Sequence, residues 1–411
     1  MIKRSCRSCG TQLETTFVNL GFTPLANAFI SAEALGRPET FYPLHAYVCS
    51  ECFLVQLEES ESPQNIFSEY AYFSSFSESW LRHAQAYAKE MIRRFHLGPK
   101  SQVVEVASND GYLLQFFKQE NIPVLGVEPA ANVAEAASRR GIPTIVKFFG
   151  EETAKQLVQQ GHQADLLVAN NVLAHVPNLD DFIRGLKMAL KPKGVITLEF
   201  PHLLNIIEEC QFDTIYHEHF SYFSFVTINR IFSSRSMNIF DVEQLPTHGG
   251  SLRIYVSHAE SLENPVSNRC GVLLDKERAY GLDRLETYSS FEPRVRQAKR
   301  GFLQFLIQAK TEGKIIAGYG APAKGNTLLV YCGVRTDFVD FTVDKSPHKQ
   351  GLYLPGTLIP IKGPEELRRA KPDYVVILPW NLKDEIMEQI AFIREWGGKF
   401  VVPIPSVAVY D

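Results

Sequence analysis

The chain lacks any uninterrupted apolar run long enough to cross a bilayer, although 45% of its 411 residues are hydrophobic. Those residues must go into cores, and there are enough of them for two or three domains. Residues 1–6 lack the apolar centre of a secretory leader, so a soluble, cytoplasmic protein is expected. A basic stripe is missing too, and the net charge is −4, which argues against bulk nucleic-acid or acidic-membrane binding. Cysteine is scarce, seven residues in all. Cytosolic thiols stay reduced, so any that pair point to metal or catalysis rather than disulfides. No repeat of solenoid period is visible.

Four of the cysteines do pair, as Cys6-Arg7-Ser8-Cys9 and Cys49-Ser50-Glu51-Cys52. Two C-x-x-C units a few dozen residues apart supply four thiolates for one tetrahedral zinc. Four thiolates leave no open position for water, so the zinc is expected to be structural. The flanking segments 23–29 and 41–44 are apolar rather than basic. The metal is therefore expected to shape a cap that packs on the next domain. Cys210, Cys270 and Cys332 are scattered and read as small buried hydrophobes.

Beyond an aromatic stretch at 67–76, which suits domain packing or a pocket wall, a helix is expected at 80–95. Strands near 102–107, 123–127, 165–169 and 194–200 then alternate with helices near 111–120, 130–140, 151–160 and 179–190. Such alternation implies an α/β fold with a doubly wound sheet, which binds its ligand at the carboxyl ends of its strands. The first turn, Glu105-Val106-Ala107-Ser108-Asn109-Asp110-Gly111, has no G-x-G-x-x-G, so close approach to a pyrophosphate is not expected. It carries Glu105, Asn109, Asp110 and Gly111 instead. The next strand ends in Glu128, and Asn170 and Asn171 follow the strand near 165–169. Acidic strand ends suit a ligand with a sulfonium and a ribose but no phosphate, which is the profile of S-adenosylmethionine. Glu128 is placed to accept from the ribose hydroxyls; the alternative is a solvated strand end.

A second chemical segment is Tyr216-His217-Glu218-His219-Phe220-Ser221-Tyr222-Phe223. Two histidines with no obvious third ligand make a poor metal site, and structural histidines are the plainer alternative. An acid–base site is favoured. Moving a methyl to oxygen or nitrogen needs only a lone pair and alignment, whereas moving it to carbon needs a carbanion. A histidine suits removal of a proton beside a ketone, and a donor such as Tyr216 suits the enolate oxygen. Spacing does not separate His217 from His219 as the base.

Toward the C-terminus, a strand at 254–256, a polar linker at about 257–270 and a helix at 292–311 are expected. Strands at 314–320, 338–343, 373–378 and 399–403 should then form a second, smaller Rossmann-like unit. Gly318, Gly320 and Gly325 with Asp344 imitate a dinucleotide fingerprint, but the third glycine is misplaced and Lys324 sits in the loop. Lys324 could meet a diphosphate instead; a surface lysine on a plain strand–turn–helix is the other reading. Asn326 belongs to the same loop.

Taken in order, these motifs resemble one family: the cysteine knuckles, residues 105–111, 126–129, 199–202 and 216–223, His248-Gly249-Gly250-Ser251-Leu252-Arg253, and 318–325. Residues 103–200 look like a class I S-adenosylmethionine methyltransferase. From about residue 5 onward the chain is similar to the zinc-containing nucleotide-sugar C-methyltransferases of deoxysugar biosynthesis, typified by dTDP-4-keto-sugar C-3 methyltransferases. The resemblance implies three parts: a zinc module (1–66), a methyltransferase domain (67–256) and a Rossmann-like domain (257–411) that helps hold the nucleotide. It also implies His219 as base, Tyr216 as enolate donor, and His175 and Tyr70 in the sugar pocket. Glu218 is expected either to orient His219 or to hold a sugar group. Tyr222, Lys324 and Asn326 are further candidate substrate contacts. The competing functions are an O- or N-methyltransferase of a related small molecule and a non-catalytic zinc-containing adaptor.

Overall fold

A computed structural model describes residues 4–62, 74–76 and 78–411. Tyr70 and the aromatic stretch up to residue 73 lie outside the described residues. Three sheets organise the rest. The central one has seven strands: Val124–Val127, Val103–Val106, Ala164–Asn170 and Leu190–Pro201 run parallel beside the short Thr144–Ile145. Ser251–His258 and Met237–Leu245 close the other edge as an antiparallel hairpin. Val103–Val106 is buried at every position, as a parallel strand covered by helices on both faces must be. Helix Glu78–Arg94 covers one face with the stripe Ala84, Tyr87, Ala88 and Met91. Tyr87 also hydrogen-bonds Thr197 across the buried boundary (2.5 Å).

The N-terminal sheet joins Thr15–Thr23, Tyr42–Val48 and Val55–Leu57, and its fourth strand, Ser221–Tyr222, comes from the central part of the chain. The expected cap is therefore a wedge. One side of it meets the central domain through that strand. The other shares a core with the C-terminal unit, where Phe17 stacks on Phe291 at 4.4 Å. Six strands form the C-terminal sheet, five of them parallel and Ala408–Tyr410 antiparallel at the edge.

The expected linker at about 257–270 is shorter than the sequence suggested. The strand runs to His258 and a helix spans Asn268–Tyr280. Its apolar residues do not keep to one face, Val272 being exposed, so periodicity did not reveal it; Cys270 and Leu273 carry it into the central core. Its Glu277, fully buried, accepts from the amides of Phe225 and Val226 (2.7 Å each) and pairs with His202 Nε2 (2.6 Å). Two of the four orphan amides opening helix Phe225–Ser233 are satisfied in this way. Glu277→Ala would strand three buried polar groups. Urea denaturation should show stability lower by about 3–5 kcal/mol, and Glu277→Gln should lose less.

Candidate active site and metal centre

Cys6, Cys9, Cys49 and Cys52 bring their sulfurs within 4.8 Å of one another. Cys6–Cys52 and Cys9–Cys49 are 3.5 Å apart and Cys9–Cys52 is 3.7 Å. Thiolates at the corners of a zinc tetrahedron lie about 3.8 Å apart, whereas a disulfide needs about 2 Å. Gln56 donates to Cys6 Sγ (3.2 Å) and the Glu51 amide to Cys49 Sγ (3.4 Å), bonds that support thiolate charge. The four residues fit a closed structural zinc.

At the carboxyl ends of the central strands the chain doubles back sharply. Ala107, Asn109 and Gly111 have φ of 52°, 50° and 77°, and Asn171 has 56°. A Cβ at Gly111 would sit 2.8 Å from Ile142 Cγ1, and one at Gly126 only 2.3 Å from Ser108 Oγ. Both glycines are thus required for the turn to lie against the next strand. Glu128 accepts from the Asn109 and Ala130 amides (2.9 Å each) and so shapes the turn. Asp110 pairs with Arg140 (2.9 Å) and Ser75 Oγ, while the Ser74 amide donates to Asn109 Oδ1 (2.9 Å). Burial, then Glu128 and Asp110, holds the Glu105 carboxyl well above its usual range, and burial raises Glu128. Among the described residues, Glu105 Oε2, Asp110 Oδ1 and Asn170 Oδ1 are buried without a hydrogen-bond partner. Three crowded carboxyls and three orphan acceptors fit a cationic, donor-rich ligand such as S-adenosylmethionine and would repel a phosphate.

Residues 216–219 form a turn closed by the His219 amide on the Tyr216 carbonyl (2.9 Å), not an extended strand. This turn separates the two histidines. His217 Nε2 reaches the Pro43 carbonyl (3.2 Å) and packs edge-on to Tyr42, inside the wedge. His219 faces the other way. Its Nδ1 lies 2.9 Å from the Thr214 carbonyl and its Nε2 2.9 Å from the Tyr216 hydroxyl. A carbonyl only accepts, so Nδ1 carries the proton and Nε2 the lone pair. Burial, with His175 and Lys324 nearby, depresses the His219 pKa well below the ordinary imidazole value. The His175 ring stands edge-on at 4.7 Å, and burial brings its pKa down to about 4. Tyr222, buried, lies 6.2 Å from His219 between ring centres.

Both ring nitrogens of His219 have partners other than Glu218. The Glu218 carboxylate accepts from Asn27 (2.6 Å), and its main chain bonds the His175 ring. Lys324, at the start of helix Ala323–Cys332, binds Asn381 Oδ1 (2.9 Å) and lies 4.7 Å over the Trp380 ring. Burial lowers its pKa and Asp213 partly restores it. Asn326 is buried one turn along the same helix, its Oδ1 unpartnered among the described residues. Gly320 and Gly325 are packed against Pro379 and Leu378, and Asp344 accepts from the Ala321 amide (2.7 Å). These glycines serve the loop's own packing.

Family models match residues 6–67 ("Putative zinc binding domain"), 80–239 (methyltransferase domain) and 246–405 (C-methyltransferase C-terminal domain). C-methyltransferase NovU of Streptomyces niveus is 34% identical over 404 residues, covering 98% of this chain and 96% of that protein. The chain belongs to the C-methyltransferase family. Two solved structures are also similar. One is the SAM-dependent methyltransferase of Anabaena variabilis ATCC 29413 (15% identical, TM-score 0.34, 42% of this chain, 84% of that one). The other is magnesium protoporphyrin IX methyltransferase (ChlM) of Synechocystis PCC 6803 with bound SAH (13%, 0.35, 43% and 83%). By its family and its methyltransferase domain, this C-methyltransferase is S-adenosylmethionine-dependent, with four gathered cysteines in its zinc-binding segment. The O- or N-methylating and adaptor alternatives give way to that assignment. Among the described residues, no helix is long and apolar enough to cross a membrane.

Several buried polar contacts around these residues escaped sequence reasoning. Asp213, fully buried, accepts the Trp380 indole N–H (2.7 Å), and burial raises its pKa to about 6. His83 meets Glu199 at 3.0 Å, and Glu199 also binds Arg253. Arg7, inside the first cysteine knuckle, donates to the Pro177 carbonyl (3.0 Å). Asp213 lies just outside the 216–223 segment; Glu199, Arg253 and Arg7 lie within motifs noted in the sequence, but their partners are far apart along the chain, so the pairings left no local signal.

Two outcomes follow from this geometry. Elemental analysis should find one zinc per chain, and Cys49→Ser should lose it and lower Tm by at least about 5 °C. Glu128→Ala, which frees two amides of the turn, should weaken S-adenosylhomocysteine binding by about tenfold or more in calorimetry.

Proposed function

We propose that the enzyme methylates C3 of a 4-keto deoxy nucleotide sugar, dTDP-linked, through an enolate. The observation that carries this reading is the His219 lone pair at Nε2, held neutral by burial and set 2.9 Å from a phenolic hydroxyl. Carbon methylation needs such a base beside such a donor. S-adenosylmethionine, when bound over Glu105, Asn109, Asp110, Gly111, Glu128, Asn170 and Asn171, supplies an electrophilic methyl.

On substrate entry the Tyr216 hydroxyl turns from His219 to the keto oxygen. His219 Nε2 then takes the C3 proton; the electron pair of the broken C–H bond forms the C3–C4 double bond, and the carbonyl π pair moves onto the C4 oxygen. Tyr216 donates to that oxygen, and C3 becomes the nucleophile. Burial disfavours an isolated imidazolium, so the enolate is the charge that makes protonated His219 tolerable; the two ions stabilise each other away from water. His175 and Tyr222 line the sugar side, and Tyr70 belongs there by resemblance. Glu218, oriented by Asn27, is left to hold a sugar group. Lys324, assisted by Asn326 and the start of its helix, meets the diphosphate.

Turnover of C3-deuterated 4-keto nucleotide sugars, followed by mass spectrometry, tests this reading. His219→Asn should lower kcat by about 100-fold or more and abolish loss of deuterium, while His217→Asn should keep both. A methyl found on oxygen or nitrogen would overturn the reading. The base must be neutral to act and its pKa is depressed, so kcat/KM should stay level from pH 8 down to about 6.5 and fall only below that.

A further inference from the structure

His248-Gly249-Gly250 belongs to the family-like motifs, yet the reaction above gives it nothing to do. It forms the tip of the hairpin between Met237–Leu245 and Ser251–His258. Ser251 pairs with Pro201, the last residue of the adjacent strand Leu190–Pro201, which runs antiparallel to it. The tip therefore opens at the carboxyl end of the sheet, on the side that carries Asn170 and Glu199.

Three successive residues there are left-handed: His248 (φ 56°), Gly249 (89°) and Gly250 (109°). Glycine is compulsory at the last two, where a Cβ would lie 2.4 Å from Trp380 Cη2 and 1.8 Å from Asn205 Nδ2. His248 adopts the same handedness without glycine's freedom, a cost that persists where the side chain is needed. Its ring packs at 5.1 Å from Trp80, and among the described residues it makes no hydrogen bond to the protein. Burial lowers its pKa to about 4, with Lys324, Glu199 and His83 as its charged surroundings, and it in turn acts on His219. The imidazole thus stands among the base, the diphosphate lysine and the strand end beside the cofactor turn, with its polar atoms uncommitted.

We propose that His248 is a substrate-contacting residue of this C-methyltransferase, its imidazole hydrogen-bonding an oxygen substituent of the substrate beside the reacting carbon. The inference rests on the reading that the substrate lies against His219. A neutral imidazole offers one donor and one acceptor, which suits a sugar hydroxyl or keto oxygen and would do little for a phosphate.

His248→Gly and His248→Asn test it, because both residues accept the left-handed backbone. Whole protein is compared with wild type for kcat/KM on the 4-keto nucleotide sugar, for S-adenosylhomocysteine affinity and for Tm. The expected result is a fall in kcat/KM of about 30-fold or more, unchanged S-adenosylhomocysteine affinity, and Tm at or up to about 2 °C above wild type. Turnover within threefold of wild type in both variants would overturn the proposal. So would a Tm that drops in step with activity, since that marks a purely structural histidine. The substrate reading is judged separately, on the product and deuterium loss of wild type, so the two can fail independently.

Discussion

The hydrogen bond from His219 Nδ1 to the Thr214 carbonyl decides which ring nitrogen keeps a lone pair, and the surrounding architecture holds that carbonyl and that ring in register. Thr214 ends the short helix Phe212–Thr214, whose Asp213 is fastened to Trp380 of the C-terminal unit. Gln211, just before it, donates to the Gly249 carbonyl (2.7 Å) at the hairpin tip. On the far side of the turn, Tyr222 pairs with Val55 of the wedge, and the Leu57 amide donates to the Phe220 carbonyl (3.0 Å). The Phe220 amide reaches Ala174, next to His175 (2.7 Å). The wedge, the central domain and the C-terminal unit thus converge on residues 211–222.

This convergence gives the zinc a purpose beyond its own module. A three-stranded meander is too small to be stiff alone, and a closed thiolate tetrahedron fixes it without a large core. Helix Phe225–Ser233 bonds the knuckle directly, through Thr227 Oγ1 to the Cys52 carbonyl (3.1 Å) and Arg230 to the Glu51 carbonyl. Metal, wedge and active-site turn form one continuous path of contacts.

Charge divides the site in two. The cofactor turn gathers Glu105, Asp110 and Glu128, all buried, and favours a cation. Around His219 stand Lys324 and two further imidazoles, His175 and His248, which disfavour another positive charge and tolerate a negative one. Under the proposed enolate route, methyl transfer from a sulfonium would remove a charge from each half. In a site shielded from water such recombination is favoured, because the separated ions are costly there.

Local pattern carried much of this. The cysteine spacing, the buried strands Val103–Val106 and Val124–Val127, and the acidic strand ends were legible because each depends on neighbours a few residues away. The helix Asn268–Tyr280 was not, since its fit is made by single contacts such as Glu277 with helix Phe225–Ser233 rather than by a periodic apolar face. Sequence alone determined the cysteine knuckles and the doubly wound sheet, and it offered two histidines within 216–219 as candidate bases. Only tertiary structure decided that His219, not His217, faces the site, and that Asp213, Lys324, Trp380 and His248 surround it. The physical reason is that a ring's direction, protonation and burial are set by partners distant along the chain, and spacing along one segment holds no record of them.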